Sequence, residues 1–297
     1  MKLSYQINKN DCYDNVLHVL KEQFLLSDRL TTKLKKANKI YLNNLPTYTK
    51  KSVTVGDTVT VLIDFDEDNS NIVATNIPLD IIYEDEYLLV INKPANLAVH
   101  PSILHFDNSL SNGVKFYFDK LGLKKKIRIV NRLDRNTSGL VIFAKNEYIQ
   151  ECLIKQMKTK ELKKEYLAII QGVLTTKIGT LSFPISRKEG SIIERTVSPD
   201  GDLAITHYDV INEFNNISLI HILLDTGRTH QIRVHFSYIN HPILGDTLYG
   251  NTSELINRQA LHSYKLTFVH PITQKTLSLE APIPADMQAV INKEKTM

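Results

Sequence analysis

One carboxylate stands between two arginines in the stretch VNRLDRNTSGLVIFAKN, residues 130–146. Asp134 lies two residues after Arg132 and directly before Arg135. The Asn-Thr-Ser-Gly sequence that follows is typical of tight turns closed by side-chain hydrogen bonds. The pattern predicts an acid held on a stiff loop where a buried strand begins, a placement that suits nucleophilic or base chemistry beside a polyanion. Alternatively, Asp134 is a turn acid that only bonds nearby amides.

A second candidate residue, Arg228, occurs in TGRTHQIRVHFSYINHPILGD, residues 226–246. Gly227 interrupts the preceding strand and Thr229 is a suitable N-cap, so we predict that a helix begins here. Its buried face would comprise Ile232, Phe236 and Ile239. Arg228 would lie just before the helix, where it could hold a carboxylate through two parallel hydrogen bonds or form only a surface salt bridge.

Several common catalytic signatures are missing from the sequence. It contains no glycine-rich phosphate loop, no dinucleotide-binding fingerprint and no Gly-x-Ser-x-Gly elbow. None of the ten histidines has metal-ligand spacing, since His230 and His235 are five residues apart and would diverge on a helix. We therefore expect no metal site and no cofactor.

The segments that must position these residues are mostly strands. EYLLVINKP, GLVIFAK and KKEYLAIIQG are apolar runs, and LAITHYDVI and ISLIHILL follow each other like the arms of a hairpin. No regular helical crossover separates them. The pattern favours an α+β fold with a mixed, largely antiparallel sheet and flanking helices.

The N-terminal region has a different character. Apolar spacing predicts a helix over residues 13–26 and a second helix capped by Ser27 and Asp28. Residues 21–51 carry eight lysines or arginines and two acidic residues, a net charge of +6, against +4 for the whole chain. On the second helix, the cations predicted to form one solvent-facing row are Arg29, Lys33 and Lys36. Such a row indicates nucleic-acid binding or an ordinary solvated face.

This arrangement over residues 1–63 resembles the S-four-type RNA-binding module of ribosome-associated proteins. Asn44 stands where that module usually has a turn glycine, and asparagine also tolerates the left-handed conformation. The polar, acidic stretch that follows predicts a linker over residues 64–78, before a catalytic domain over residues 79–297.

The larger part of the chain resembles the RluA-type pseudouridine synthases. The resemblance rests on EDEYLLVINKPANLAVHPS, NRLDRNTSGLVIFAK, KKEYLAIIQG and TGRTHQIRVHFSYINHPILGD, followed by ALHSYKLTFVHP. It implies that Asp134 is the essential aspartate, that Tyr166 stacks on the target base and takes part in proton removal, and that Arg228 pairs with the aspartate. It also implies that Arg132 takes part in flipping the uridine or in filling its vacated place. From their charge and position beside Asp134, we expect Arg132 and Arg135 to bind the RNA through phosphate contacts and cation–π stacking.

The implied reaction breaks the N1–C1′ bond of a uridine and joins C5 to C1′, which consumes no cofactor. Whether Asp134 attacks the sugar or removes a sugar proton stays open. Asn131 replaces the family's usual histidine before Arg-Leu-Asp, and Asn96 replaces a glycine after Lys-Pro. Neither position supplies a catalytic group.

The leading expectation is thus an isomerase acting on structured RNA, with large-subunit ribosomal RNA as the first candidate and transfer RNA as the second. The alternatives are a non-catalytic RNA-binding or ribosome-assembly factor and a glycosidic-bond hydrolase, which would need a second carboxylate. No apolar run reaches membrane-spanning length, and Cys12 and Cys152 have no redox spacing. We expect a cytoplasmic protein without an obligate protein partner.

Overall fold

The N-terminal region folds around a small antiparallel sheet. The computed structural model describes residues 1–103 and 105–295. The sheet has the order β1-β4-β2-β3. Its strands are β1 (Lys2–Gln6), β2 (Ile40–Leu42), β3 (Leu45–Pro46) and β4 (Thr58–Leu62).

Two helical segments connect β1 to β2. The first, α1 (Val16–His18), runs directly into a π-helical turn over Val19–Gln23, so the predicted helix over residues 13–26 is shorter at both ends. It begins late because the Asn15 side chain caps it by accepting a hydrogen bond from the His18 amide. The predicted second helix is confirmed as α2 (Asp28–Lys36), capped by the Ser27 side chain.

The connection over residues 64–78 contains no helix or strand, but its side chains are fixed to the rest of the protein. Glu67 forms two hydrogen bonds of 2.6 Å with Arg128. Asn69 is buried and accepts a hydrogen bond from the Ile127 amide at 3.0 Å. The segment predicted as a linker therefore connects the two regions and is docked on the large sheet through Glu67 and Asn69.

The larger sheet has the order β10-β13-β14-β9-β15-β8-β6-β5. Strand β16 pairs with β15 and β7 pairs with β8; β15 and β8 run parallel, and the other pairs are antiparallel. The predicted α+β class with a largely antiparallel sheet is confirmed. The strands are β5 (Ile81–Glu84), β6 (Leu88–Lys93), β7 (Arg128–Ile129), β8 (Ser138–Ala144), β9 (Lys163–Gln171), β10 (Ile178–Ser182), β13 (Ile205–Glu213), β14 (Ile217–Leu224), β15 (Leu261–Val269) and β16 (Thr276–Glu280).

Four helices and a short hairpin complete the described fold. The hairpin pairs β11 (Ile185–Arg187) with β12 (Arg195–Val197) as a separate two-stranded sheet. The helices are α3 (Leu110–Lys120), α4 (Glu147–Lys158), α5 (Gln231–Tyr238) and α6 (Ala285–Lys295). None of the helices in the described part of the chain is long and apolar enough to span a membrane.

One apolar cluster joins the N-terminal region to the large sheet. Leu20 and Leu30 from the N-terminal helices belong to the same buried cluster as Leu140 and Ile142 of β8 and Leu153 of α4. Burial of a residue of this size contributes about 1.5–3 kcal/mol. The two regions are consequently packed against each other by a shared core.

The centre of the large sheet positions the loop that carries Asp134. Gly139, at the start of β8, has a φ of +112°, and a Cβ there would lie 2.2 Å from the Ser263 carbonyl oxygen of β15. Only glycine permits this conformation and this close parallel approach. The loop over residues 130–137 is therefore anchored where β8 and β15 meet, near the middle strand β9.

Candidate active site

Backbone hydrogen bonds close the Asp134 loop into a fixed turn. The Thr137 amide donates to the Asp134 carbonyl at 3.1 Å. Side chains from two other segments bind neighbouring carbonyls: Lys93 Nζ donates to the Arg135 oxygen at 3.0 Å and Arg258 Nη1 to the Asn136 oxygen at 3.2 Å. The predicted stiff loop is confirmed.

Lys93 is fully buried at the end of β6. Its ammonium group also donates to the carbonyls of Pro94 and Leu97, so all three of its donors are satisfied. Burial lowers the pKa of Lys93 to about 7, although the charge of Asp134 opposes that shift. Lys93 thus ties the end of β6 to the loop that carries Asp134.

The two departures from the family pattern have structural explanations. Asn131 is buried, and its amide donates to the Leu140 carbonyl at 3.0 Å and accepts from the Ile142 amide at 2.9 Å. The Asn131 side chain therefore forms with β8 the two hydrogen bonds that the backbone of a neighbouring strand would form. Asn96 has a φ of +61°, a left-handed conformation that a glycine adopts freely and an asparagine tolerates.

Arg233, on α5, is the partner of Asp134. Its Nη1 donates to Asp134 Oδ2 at 2.8 Å, while Nε and Nη2 bind Asp246 at 2.6 and 2.8 Å. Burial opposes the charge on Arg233, but Asp246 and Asp134 outweigh it and raise the pKa of the guanidinium above its usual range. The Asp246 side chain is 1% exposed and the Asp134 side chain 27%. Arg233 is thus anchored from behind and reaches forward to an accessible carboxylate.

The predicted pairing of Arg228 with Asp134 is wrong. Arg228 does lie just before α5 and lines the same cleft. However, its Nε donates to the Leu203 carbonyl at 3.0 Å and its Nη1 lies 3.2 Å from Asp202. The two arginines differ in the direction of their side chains. Arg228, in the loop before α5, extends toward residues 202–203, whereas Arg233, on the helix, extends toward Asp134.

The predicted N-cap Thr229 is also wrong, since α5 begins after His230, which has a φ of +58° and caps without a side-chain hydrogen bond. Instead, the Gln231 side chain holds the loop by accepting from the Arg228 amide at 3.0 Å and from the Thr226 hydroxyl at 2.8 Å. Sequence reasoning missed Gln231 because an amide inside a helix carries no distinctive signal.

His230 forms a short relay beside Asp134. The Tyr249 hydroxyl accepts from the Arg195 amide at 2.8 Å and lies 2.8 Å from His230 Nδ1. The hydroxyl and the imidazole are thus within hydrogen-bonding distance, and this contact holds the orientation of the His230 ring. The Nε2 atom of the ring is 3.8 Å from Asp134 Oδ1, and burial lowers the pKa of His230. The His230 ring therefore faces the second oxygen of the carboxylate.

Tyr166, on β9, lines the same cleft as Asp134 and is buried. Burial raises the pKa of its phenol to about 12. The phenol therefore keeps its proton at neutral pH and offers both a donor and an aromatic face.

The cleft has a volume of about 690 Å³, and cationic, polar and apolar side chains line it around Asp134. Arg132 lines it and is exposed, whereas Arg135 is exposed on the same loop without lining the cleft. Other lining residues include His100, Lys158, Lys164, Tyr166, Arg228 and Arg233. Among the described residues, no group of three or more His, Cys, Asp or Glu is placed to hold a metal ion.

The predicted row of cations on α2 is only partly presented to solvent. Lys33 lies 2.9 Å from Glu67 and 3.3 Å from Glu147, two side chains that are each 8% exposed. Arg29 is largely exposed, but its Nε lies 3.1 Å from Glu147. Lys36 is exposed. Lys33, one member of the row expected to face RNA, therefore holds α2 against the 64–78 connection and against α4.

Fold and site together define a class of protein, an enzyme that offers one oriented carboxylate beside a buried tyrosine in a cationic cleft. Residues 87–238 match the model of the RNA pseudouridylate synthase family. The chain belongs to that family, and it is an isomerase that converts uridine in RNA to pseudouridine.

Similar proteins agree with this assignment. An uncharacterized RNA pseudouridine synthase of Bacillus subtilis, YjbO, is 40% identical over 91% of this chain and 95% of its own length. The ribosomal large subunit pseudouridine synthase D of Vibrio cholerae is 38% identical over 80% of this chain and 77% of its own length. The solved human RNA pseudouridylate synthase domain containing 4 has the same fold, with a TM-score of 0.59 and 23% identity over 72% of this chain and 92% of that one.

Proposed function

We propose that the chain isomerises uridine in large-subunit ribosomal RNA and that Asp134 carries the chemistry. The observation that carries the proposal is the ion pair of Asp134 with Arg233, which leaves the carboxylate oriented and partly exposed in the cleft. Relatives named as ribosomal large subunit pseudouridine synthase D align with most of the chain and support the choice of RNA. Transfer RNA is the second candidate.

In the proposed mechanism Asp134 begins the reaction, either by attacking C1′ or by removing the proton from C2′. The N1–C1′ bond breaks and the uracil turns within the cleft. As C5 bonds to C1′, Asp134 leaves C1′ or returns the proton to C2′. The C5 proton is then removed and N1 takes up a proton, so no atom is gained or lost. Arg233 supplies a counter-charge and fixes one carboxylate oxygen, while His230 faces the other.

Tyr166 is proposed to stack on the uracil and to relay the C5 proton. Its phenol stays protonated at neutral pH, so a relay requires the oxygen to accept one proton as it releases its own. Arg132, exposed at the cleft, is proposed to stabilise the flipped uridine, which leaves its stack at a cost of a few kcal/mol. Arg135 is proposed to contact the adjacent backbone.

Residues 1–63 are proposed to be an S-four-like RNA-binding module, joined by residues 64–78 to a catalytic domain over residues 79–297. Because Lys33 is engaged with buried carboxylates, RNA contacts from α2 are assigned to its exposed Lys35 and Lys36, with Arg29 at the margin. We place the enzyme in the cytoplasm, where RNA is modified during ribosome assembly.

A pseudouridine map of total RNA from cells with and without the protein tests this proposal. The expected result is the loss of one or a few pseudouridines from large-subunit ribosomal RNA, restored by the wild-type chain. Loss confined to transfer RNA would replace the ribosomal assignment with the second candidate. An unchanged map, together with no tritium release from C5-labelled ribosomal or transfer RNA in vitro, would contradict both.

A further inference from the structure

A second cavity, of about 450 Å³, adjoins the cleft that contains Asp134. Arg132, Gly227, Arg228 and Thr229 line both spaces, so the two are continuous. A chain-like ligand whose reacting unit sits near Asp134 can therefore extend into the second cavity without leaving the surface.

The walls of the second cavity are rigid. One wall is the hairpin of β11 and β12, which contributes Ser186, Arg187 and Arg195, and another is the segment over residues 200–202. Ile185 exchanges two backbone hydrogen bonds with Asp202, at 2.9 and 3.0 Å. A Cβ on Gly201 would lie only 2.5 Å from the Ile185 backbone, so a glycine is needed for these segments to meet.

The chemistry of the lining favours an anionic, non-aromatic ligand. Four guanidinium groups and two carboxylates line the cavity, from Arg132, Arg187, Arg195, Arg228, Asp200 and Asp202. No aromatic side chain is among the described lining residues, so the cavity offers no aromatic ring on which a base could stack. Guanidinium groups bind phosphate oxygens through paired hydrogen bonds, which suits a nucleic-acid backbone.

The guanidinium groups are available to such a ligand. Arg187 is exposed. Arg195 uses Nη1 on the carbonyls of Ile193 and Glu194, which leaves its other nitrogens free to donate. The pair of Arg228 with Asp202 is exposed, with 42% and 70% of the side chains accessible, so a phosphate can compete for this arginine.

We propose that this second cavity binds the phosphodiester backbone of the RNA strand next to the target uridine. The inference rests on the proposed function, because its ligand is the strand whose uridine occupies the main cleft. In this role the arginines position the strand through its phosphates.

The site also contacts the catalytic machinery. Arg195 donates its backbone amide to Tyr249, which holds the His230 ring that faces Asp134. An RNA backbone bound at β11 and β12 therefore rests on the same residues that flank the catalytic carboxylate. The second cavity and the His230 side of the active site are thus connected through Arg195 and Tyr249.

The test compares Arg187→Gln with Lys188→Gln. Lys188 is the next residue of the hairpin and has the same charge, but it pairs with Glu194 and does not line the cavity. The probe is an in vitro transcript of large-subunit ribosomal RNA, and its affinity is measured over a range of salt concentrations. Thermal unfolding of each variant checks that the hairpin is intact.

For Arg187→Gln we expect the Kd to rise about 3- to 30-fold and the slope of log affinity against log salt to become shallower by about 0.7–0.9. The single-turnover rate at saturating RNA stays within twofold of wild type, and Lys188→Gln changes none of these values. Arg187→Lys keeps the wild-type slope because it keeps the charge.

An unchanged affinity and salt slope for Arg187→Gln would overturn the inference, as would an equal loss for Lys188→Gln. Failure of the proposed function gives a different result. In that case the wild-type chain forms no pseudouridine in the transcript. The salt dependence of RNA affinity can still be measured, because it requires binding and no reaction.

Discussion

Two networks of cations and buried carboxylates hold this protein together, and they differ in one respect. At the active site, Arg233 joins the fully buried Asp246 to Asp134, whose side chain is 27% exposed. Between the N-terminal region and the large sheet, Lys33 and Arg128 meet Glu67, and Lys33 also meets Glu147, with both carboxylates 8% exposed. The first network has an accessible carboxylate, whereas in the second, here called the closed network, both carboxylates are buried.

The difference separates a reactive ion pair from a structural one. Burial opposes ionisation of Glu67, but hydrogen bonds from Arg128 and Lys33 outweigh it and lower its pKa to about 2. All of that carboxylate's bonding capacity is used within the protein. Asp134 instead has one oxygen bound to Arg233 and another 3.8 Å from His230, so it can still approach a substrate.

The largest effect should come from breaking the active-site network at its centre. Arg233→Met leaves the buried Asp246 without a counter-charge, so we expect the free energy of unfolding to fall by about 3–5 kcal/mol. Urea unfolding measures this loss. Arg233→Lys keeps a charge but loses the planar set of N–H donors that binds Asp246 and Asp134 together. We expect this variant to fold and to have a kcat at least about 100-fold below wild type.

The matched control is Arg228→Met, which removes an exposed ion pair and one hydrogen bond to the Leu203 carbonyl but leaves no buried carboxylate unpaired. Its unfolding free energy should change by less than about 1 kcal/mol and its kcat by less than about threefold. If Arg228→Met instead lost as much kcat as Arg233→Lys, the assignment of Arg233 as the partner of Asp134 would be wrong.

A smaller effect, on stability alone, should come from the closed network. The folded-state pKa of Glu67 is about 2, below the ordinary value of 4.5, so its contribution to stability is present above pH 4.5 and is lost as the pH falls toward 2. Glu67→Gln should therefore cost about 3 kcal/mol at pH 7 and much less at pH 2.5.

Chemical unfolding of wild type and Glu67→Gln across this pH range measures the difference, with kcat at pH 7 as the second readout. We expect kcat to stay within twofold of wild type. A difference in unfolding free energy that is constant with pH would show that the ionisation of Glu67 does not stabilise the fold. A large loss of kcat would show that the closed network is not purely structural.

The smallest effect concerns the relay behind Asp134. Tyr249→Phe removes the hydroxyl that binds both His230 and the Arg195 amide, so the His230 ring loses its fixed orientation. We expect kcat to fall about threefold to tenfold and the unfolding free energy to fall by about 1–2 kcal/mol. Tyr238→Phe, at an exposed position on α5, is the control and should change neither. A Tyr249→Phe variant with wild-type kcat would exclude the relay from catalysis.

The sequence predicts the loop of Asp134 and the strands around it because those signals are local. Turn-forming residues crowd the segment after Asp134, and the apolar run that follows can only be buried. Asn44 has the left-handed conformation that was expected at this turn, since asparagine tolerates it.

The partners of the charged residues could not be predicted, because they depend on packing between distant segments. In the sequence, Arg233 looks like any polar residue on a helix. Only the fold brings Asp246, 13 positions later, into hydrogen-bonding contact with it. A carboxylate after the apolar Ile243-Leu244-Gly245 run was the available signal, since a buried acid requires a cation. Lys33 was likewise indistinguishable from a solvated lysine until α2 docked onto Glu67 and Glu147.

Single-turnover pseudouridine formation by Asp134→Asn tests the central claim most directly. The amide keeps the shape of the side chain but cannot serve as a nucleophile or a base. With RNA that the wild-type chain modifies, we expect the rate to fall at least about a thousandfold while the Kd for RNA stays within about threefold. A folded Asp134→Asn variant that forms pseudouridine within tenfold of the wild-type rate would contradict the account.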